Sequence, residues 1–82
     1  MEIREVFARN LKALRLAKGL SQEELAHLAD IDRTYISSLE RCVYNASIDV
    51  VQRLASVLGV AASDLLLRRP TGPTETDLED DT

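Results

Sequence analysis

The segment Ser21–Glu40 constrains the fold of this chain more than any other feature. It reads S-Q-E-E-L-A-H-L-A-D-I-D-R-T-Y-I-S-S-L-E. Ser21 followed three residues later by Glu24 is a capping box, the pattern with which many helices begin. Asp32 is a second N-cap residue placed directly before another apolar-periodic stretch. The segment therefore predicts two short helices joined by a tight turn at residues 30–32.

Helical spacing continues through the rest of the chain. Apolar residues recur at Ile3, Phe7, Leu11 and Leu14, which places them on one face of a helix that Gly19 closes. The predicted helices run from about Ile3 to Lys18, from Gln22 to about Ala29, from Arg33 to about Arg41, from Ile48 to Leu58, and from Ala62 or Ser63 to Leu66 or Leu67. We therefore predict an all-α domain of five helices over residues 1–69, without strands and without a second domain.

Charge divides the chain into two parts. The net charge is −4, but five of the 14 acidic residues lie in residues 70–82, which contain no Lys or Arg. Residues 1–69 hold all 10 basic residues and nine acidic ones, so their balance is +1. The tail 70–82 is acidic, rich in Thr and poor in apolar residues, and we expect it to be disordered.

Composition excludes several classes of protein. No apolar run is long enough to span a membrane and no secretion signal is visible, so we expect a cytoplasmic protein. Cys42 is the single cysteine, which excludes an internal disulfide and argues against a zinc site. We find no nucleophile–base pair, carboxylate pair or phosphate-binding loop. We therefore expect no enzyme activity, no catalytic residue, no metal and no cofactor.

The predicted helix 33–41 has two unlike faces. At about 100° per residue, Ile36 and Leu39 fall on an apolar side. The opposite side carries short polar and basic side chains, which are Arg33, Thr34, Ser37, Ser38 and Arg41. Arginine can donate two hydrogen bonds to the edge of guanine, and Ser and Thr can bond to base edges or phosphates. An ordinary solvated face is the alternative, but the capped helix and tight turn that precede it favour DNA binding.

Several motifs occur together at fixed spacing. They are Gly19 to Ala26, Ile36 to Arg41, and Leu54, Ala55, Leu58, Gly59, Val60 and Leu65, with Arg15, Ala29 and Ser47 between them. Together they resemble the Xre-type, lambda repressor-like helix-turn-helix family of phage repressors and small bacterial regulators. The resemblance covers about residues 5–67. It implies sequence-specific binding to double-stranded DNA and regulation of transcription. The segment from Asp32 to Ser37 is also similar to the controller proteins of restriction–modification systems.

The resemblance also implies roles for individual residues. Those expected to contact base edges are Arg33, Thr34 and Ser37. Those expected to contact the DNA backbone are Gln22, Tyr35, Ser38, Arg41 and Asn45. Arg15 and Glu40 are expected to form an interior ion pair between the first and third helices.

Two positions depart from the pattern of the family. The family usually has glycine where this chain has Asp30 and where it has Cys42. If the backbone stays left-handed at Cys42, a residue other than glycine costs about 1–2 kcal/mol there. We therefore expect the loop from Arg41 to Ala46 to differ in shape from the corresponding loop of the family.

The fourth helix carries more apolar surface than one core face needs. Its main stripe is Ile48, Val51, Leu54, Ala55 and Leu58. The remaining apolar residues there and in the fifth helix are predicted to form a homodimer interface, and they are Val50, Val57, Leu66 and Leu67. An ordinary core with scattered exposed valines is the alternative. A two-fold dimer would place its recognition helices about 34 Å apart, or a multiple of this, on a palindromic site.

Two other functions remain open. An antitoxin would bind DNA through the same helix and a toxin through its tail or fifth helix. An interaction module would keep the fold without binding DNA, but it has no need of Arg33 and Gln22 at their positions. A toxin or polymerase partner stays unidentified. In a further hypothesis, the acidic tail folds over the recognition face as a mimic of DNA.

Overall fold

The structure, a computed structural model, describes residues 2–68. Within that range the chain forms α1 (Ile3–Ala17), α2 (Gln22–Ala29), α3 (Arg33–Glu40), α4 (Ile48–Leu58) and α5 (Ala62–Leu65). No strand occurs among these residues, and the predicted all-α class with five helices is confirmed. The predicted acidic tail, and its boundary with the domain after residue 69, lie outside the described residues.

Side-chain caps begin three of the helices at the positions that the sequence predicts. The Ser21 hydroxyl accepts the backbone N–H of Glu24 at 3.0 Å, and the Glu24 carboxylate accepts the N–H of Ser21 at 2.8 Å. The Asp32 carboxylate accepts the N–H two residues later at 2.8 Å, and the Ser47 hydroxyl accepts the one three residues later at 3.1 Å. Each bond satisfies an N–H that the first turn of a helix leaves without an intrahelical partner.

The backbone is left-handed at the two positions where the family usually has glycine. Asp30 has a φ of 58° and forms the C-cap of α2, while Cys42 has a φ of 62° just beyond α3. Asp tolerates this conformation better than most residues because its short side chain can bond locally, whereas Cys has no such advantage. The chain therefore keeps the turn geometry of glycine at both positions without having glycine there.

The core lies where all five helices meet. Its largest fully buried side chains are Leu11, Leu25, Ile36, Leu39, Leu54 and Leu65. α3 contributes two of the six, so its apolar side is fixed against the rest of the domain. Burial of this kind stabilises by about 1.5–3 kcal/mol per large apolar side chain.

Two residues of the predicted apolar stripes are not core residues. Ile48 is 87% exposed, because it occupies the first position of α4, before the helix reaches the core. Ile3, at the start of α1, is half exposed for the same reason. The pattern gives the direction of each stripe correctly, but both stripes extend one turn beyond the packed interior.

Candidate nucleic-acid interface

The polar side of α3 faces solvent because the opposite side is buried. Ile36 and Leu39 are fully buried in the core. Arg33 and Thr34, in the first turn of α3, are exposed, and Ser37, one turn further on, is half-buried. The three residues expected to meet base edges therefore lie on one accessible strip of the helix. A rigid helix carrying a guanidinium and two hydroxyls on its outer side is suited to a DNA groove.

An interior ion pair connects α1 with α3. Arg15 Nε donates to Glu40 Oε2 at 2.7 Å and Arg15 Nη2 donates to Glu40 Oε1 at 3.0 Å, so the pair is bidentate. The two side chains are only 8% and 3% exposed. Arg15 Nη1 also donates to the carbonyl of Leu20 at 2.8 Å. The pair fixes the orientation of α3 against α1 and against the residues that lead into α2.

The same carboxylate also holds Gln22. Gln22 Nε2 donates to Glu40 Oε1 at 3.0 Å, and Gln22 is half-buried at the start of α2. This bond uses one of the two N–H groups of the amide, so a phosphate contact by Gln22 would have to use the other. Glu40 thus connects the first turn of α2 with α3, which are the two helices of the predicted motif.

The charge of Arg15 is stabilised by its partner. Hydrogen bonding to the Glu40 carboxylate raises the pKa of Arg15 above its ordinary value, and the negative charge of that carboxylate adds to the effect. Burial acts in the opposite direction without reversing the shift. Arg15 therefore remains charged at every pH at which the domain would function.

The loop after α3 is closed by Tyr35. The Tyr35 hydroxyl donates to the carbonyl of Asn45 at 3.0 Å, and the Tyr35 ring lies 6.3 Å from the ring of Tyr44, with 52° between their planes. In this arrangement the hydroxyl proton of Tyr35 is engaged within the protein, so the expected phosphate contact would require it to change partner. Asn45 itself is exposed, and so is Arg41, whose Nε lies 3.4 Å from the carbonyl of Ser37.

Ser38 does not lie where the resemblance places it. It is 4% exposed, so its hydroxyl is not available to a DNA backbone. Just beyond Ser38 the chain turns back at the end of α3, where the N–H of Val43 donates to the carbonyl of Ser38 at 2.9 Å. The left-handed turn at Cys42 makes this return possible. The helical periodicity places Ser38 on the polar side of α3 and so did not reveal this burial.

Two positioning contacts were missed from the sequence. Arg53 Nη1, on α4, donates to the carbonyl of Asp30 at 3.3 Å and so supports the turn between α2 and α3. Asn10, on α1, is buried and bonds to the end of α5. The signal for Asn10 was its place three residues after Phe7, on the apolar side of α1. Arg53 gave no comparable signal, because it lies among the exposed residues of α4, where a charged side chain is ordinary.

The sequence profile of the Helix-turn-helix family matches residues 11–65 of this chain. The chain belongs to this family. The helix-turn-helix motif itself is α2, the turn at residues 30–32, and α3.

Relatives of this helix-turn-helix protein include named regulators. A hypothetical transcription factor of Neisseria meningitidis is 46% identical over 66 residues, which are 80% of this chain and 62% of the relative. The control protein C.BamHI of Bacillus amyloliquefaciens is 43% identical over 65 residues, which are 78% of this chain and 80% of that protein. The chain thus spans less than two thirds of the first relative and most of the second.

Solved structures agree with the fold. The crystal structure of the transcription factor NHTF from Neisseria has a TM-score of 0.80 and 43% identity, covering 90% of this chain and 80% of that one. The structure of SinR, a Bacillus subtilis regulator of biofilm formation, in complex with DNA has a TM-score of 0.71 and 36% identity. The match covers 73% of this chain and 97% of that one.

The apolar patch of the helix-turn-helix protein differs in extent from the one predicted. Val50 and Val57 are half-buried and pack against the protein's own core, whereas Leu66 and Leu67 are exposed. An open cavity of about 220 Å³ lies beside Leu66, and its walls are Ile3, Arg4, Phe7, Tyr44, Asn45, Ala46, Val51 and Leu66. The exposed apolar surface therefore extends from α5 toward the start of α1 and the loop before α4.

Other kinds of site were also sought in residues 2–68. No three His, Cys, Asp or Glu side chains in that range lie close enough to hold a metal ion. Among the helices that the structure describes, none combines the length and apolar character that crossing a membrane needs.

Proposed function

We propose that this protein binds double-stranded DNA sequence-specifically and regulates transcription, with α3 in the major groove. The observation that carries the proposal is the position of Arg33 and Thr34. They are exposed in the first turn of a helix whose opposite side carries the fully buried Ile36 and Leu39. Family membership and the likeness to SinR, solved in complex with DNA, support it. We assign this activity to residues 1–69.

The roles of individual side chains follow from their exposure. Arg33, Thr34 and Ser37 contact base edges. Gln22, through its second amide N–H, contacts the DNA backbone, as do Arg41 and Asn45. Backbone N–H groups at the N-terminus of α2 add to the phosphate contact of Gln22, because helix N-termini favour anions. We omit Ser38 from the interface because it is buried.

The protein binds as a homodimer in this proposal. Leu66 and Leu67 are exposed large apolar residues, and Val50 and Val57 are partly accessible. A second copy would cover this surface and place two α3 helices on one side of the duplex. Such a dimer has two-fold symmetry and reads a palindromic operator.

We propose more specifically that the protein is a controller of a restriction–modification system. This proposal is supported by the 43% identity to the control protein C.BamHI, of which the chain covers 80%. Genes for a methyltransferase and an endonuclease next to the gene for this protein would agree with it. A neighbouring toxin gene would instead favour an antitoxin.

Selection of bound fragments from a random duplex library tests the proposed function. The expected result is a palindromic consensus whose half-sites are about 10 base pairs apart, or a multiple of this. Enrichment of a single half-site would agree with sequence-specific binding and contradict the dimer. No enrichment at low salt, where electrostatic binding is strongest, would contradict DNA binding itself.

A further inference from the structure

The buried amide of Asn10 connects α1 with the chain that leaves α5. Asn10 is 4% exposed, and its Nδ2 lies 3.4 Å from the carbonyl oxygen of Asp64, 3.0 Å from that of Leu65 and 2.8 Å from that of Leu67. The last carbonyls of a helix have no intrahelical donor, so one side-chain amide serves several of them here.

α5 depends on such contacts because it is short. It has four residues, and a single helical turn is not stable in isolation. Leu65 is fully buried and anchors the end of this turn in the core. Beyond Leu65, the hydrogen bonds from Asn10 fix the direction of the backbone.

The two residues that follow Leu65 carry exposed apolar side chains. Leu66 is 42% exposed and Leu67 is 53% exposed. Leu66 also forms a wall of the open cavity beside Ile3 and Phe7, which precede Asn10 on α1. Asn10 is thus the buried polar group that holds the segment expected to meet a second copy.

We propose that Asn10 is a positioning residue for dimer formation. Its amide orders the backbone at residues 65–67 and so presents Leu66 and Leu67 to the partner. This inference rests on the homodimer proposed above. A segment that is already ordered loses little conformational entropy when it binds, whereas a loose one must be ordered at that step. Asn10 therefore acts on association through the backbone, without contacting the partner.

The substitution Asn10→Asp isolates this role because the two side chains have the same shape. An Asp at this position donates no hydrogen bond when it is ionised and only one when it is protonated, so in neither form can it serve the three carbonyls that Asn10 binds. The matched control is Ala13→Gly, in the same helix and on its exposed side. Glycine there weakens α1 through its helix propensity alone and leaves the bonds to α5 in place.

A dilution series of the full chain in the analytical ultracentrifuge gives the dimer dissociation constant, with unfolding curves to show that each variant is folded. We expect Asn10→Asp to raise the constant about tenfold or more, and Ala13→Gly to change it by less than about threefold. Equal changes in the two variants would overturn the inference, because loss of stability would then explain them.

Two further outcomes are also decisive. If Asn10→Asp does not fold, Asn10→Ser replaces it, since serine keeps a donor but cannot reach the same carbonyls. A rise in its dissociation constant relative to Ala13→Gly supports the inference, and an unchanged constant overturns it. A wild-type chain that stays monomeric at every concentration would overturn the homodimer and this inference together. A dimeric wild type with an unaffected Asn10→Asp variant would overturn this inference alone.

Discussion

Replacing Glu40 by Gln removes one charge from the interior of the domain and keeps the shape of the side chain. Arg15 and Glu40 are 8% and 3% exposed, and their two hydrogen bonds are 2.7 Å and 3.0 Å long. In the variant, the buried guanidinium would keep neutral partners only, including the carbonyl of Leu20 at 2.8 Å. Removing one partner of a buried pair costs about 3–5 kcal/mol, because the other charge remains without compensation. We expect a loss of this size for Glu40→Gln.

Such a loss is a large part of the stability available to this chain. At about 0.05–0.15 kcal/mol per residue, 82 residues give a free energy of unfolding of about 4–12 kcal/mol. For a domain of this size, each kcal/mol lost lowers Tm by about 4–8 °C. Wild type and variant must be compared at one protein concentration, since dimerisation couples stability to concentration.

Urea unfolding followed by circular dichroism measures the effect. The control is Glu23→Gln, on the exposed surface of α2, which should change the free energy of unfolding by less than about 0.5 kcal/mol. The double variant Arg15→Met with Glu40→Leu should recover most of the loss, because no buried charge is left. A loss below about 1 kcal/mol in Glu40→Gln would refute the reasoning, since it would mean that Arg15 does not need the carboxylate.

Four further outcomes are expected. Cys42→Gly should raise the free energy of unfolding in urea by about 1 kcal/mol, because glycine relieves the left-handed backbone; Cys42→Ala, which leaves φ positive, should bring no gain. Leu66→Asp should make the protein monomeric in a gel-filtration dilution series, and an unchanged dimer would contradict the interface. Leu54→Ala, in the core, should lower the free energy of unfolding by about 2–5 kcal/mol in the same urea assay. Ile48→Ala, at an exposed position, should lower it by less than about 0.5 kcal/mol when it is measured in the monomeric Leu66→Asp background. The pKa of Arg15 is raised in the folded state, so the free energy of unfolding that Arg15 contributes is fully present below its unfolded-state pKa and is lost only as pH rises through its folded-state pKa. Glu40→Gln should therefore lower the free energy of unfolding by the same amount at about pH 6 and pH 9. A clear difference between the two pH values would point to another titrating group.

Local chemistry explains why the helix positions could be predicted from the sequence. Ser21, Asp32 and Ser47 bond to N–H groups two or three residues away, so their roles depend on a few neighbouring residues. Gly59 closes α4 for the same kind of reason, with a φ of 72°. Local patterns of this kind carry most of the information about the fold, because five short helices leave few ways to bury their apolar sides.

The remaining features depend on residues that are distant in the chain. Periodicity places Ser38 on the polar side of α3, yet its side chain is buried within the fold. The hydroxyl of Tyr35 is engaged by the carbonyl of Asn45, ten residues on. Asn10 meets α5 more than fifty residues away. Periodicity places a residue on a face of its own helix, but it does not say which other segment will cover that face.

The specificity profile of Arg33→Ala tests the central claim most directly. The affinities of wild type, Arg33→Ala and Arg41→Ala are measured for the selected site and for every single base-pair change in it, at one salt concentration. Arg33→Ala should lose about 1–3 kcal/mol on the preferred site and lose discrimination at one base pair per half-site. Arg41→Ala, which removes another exposed arginine, should weaken binding to all sequences about equally. An unchanged pattern of base preference in Arg33→Ala would contradict the account, because base readout would then lie elsewhere than on the exposed first turn of α3.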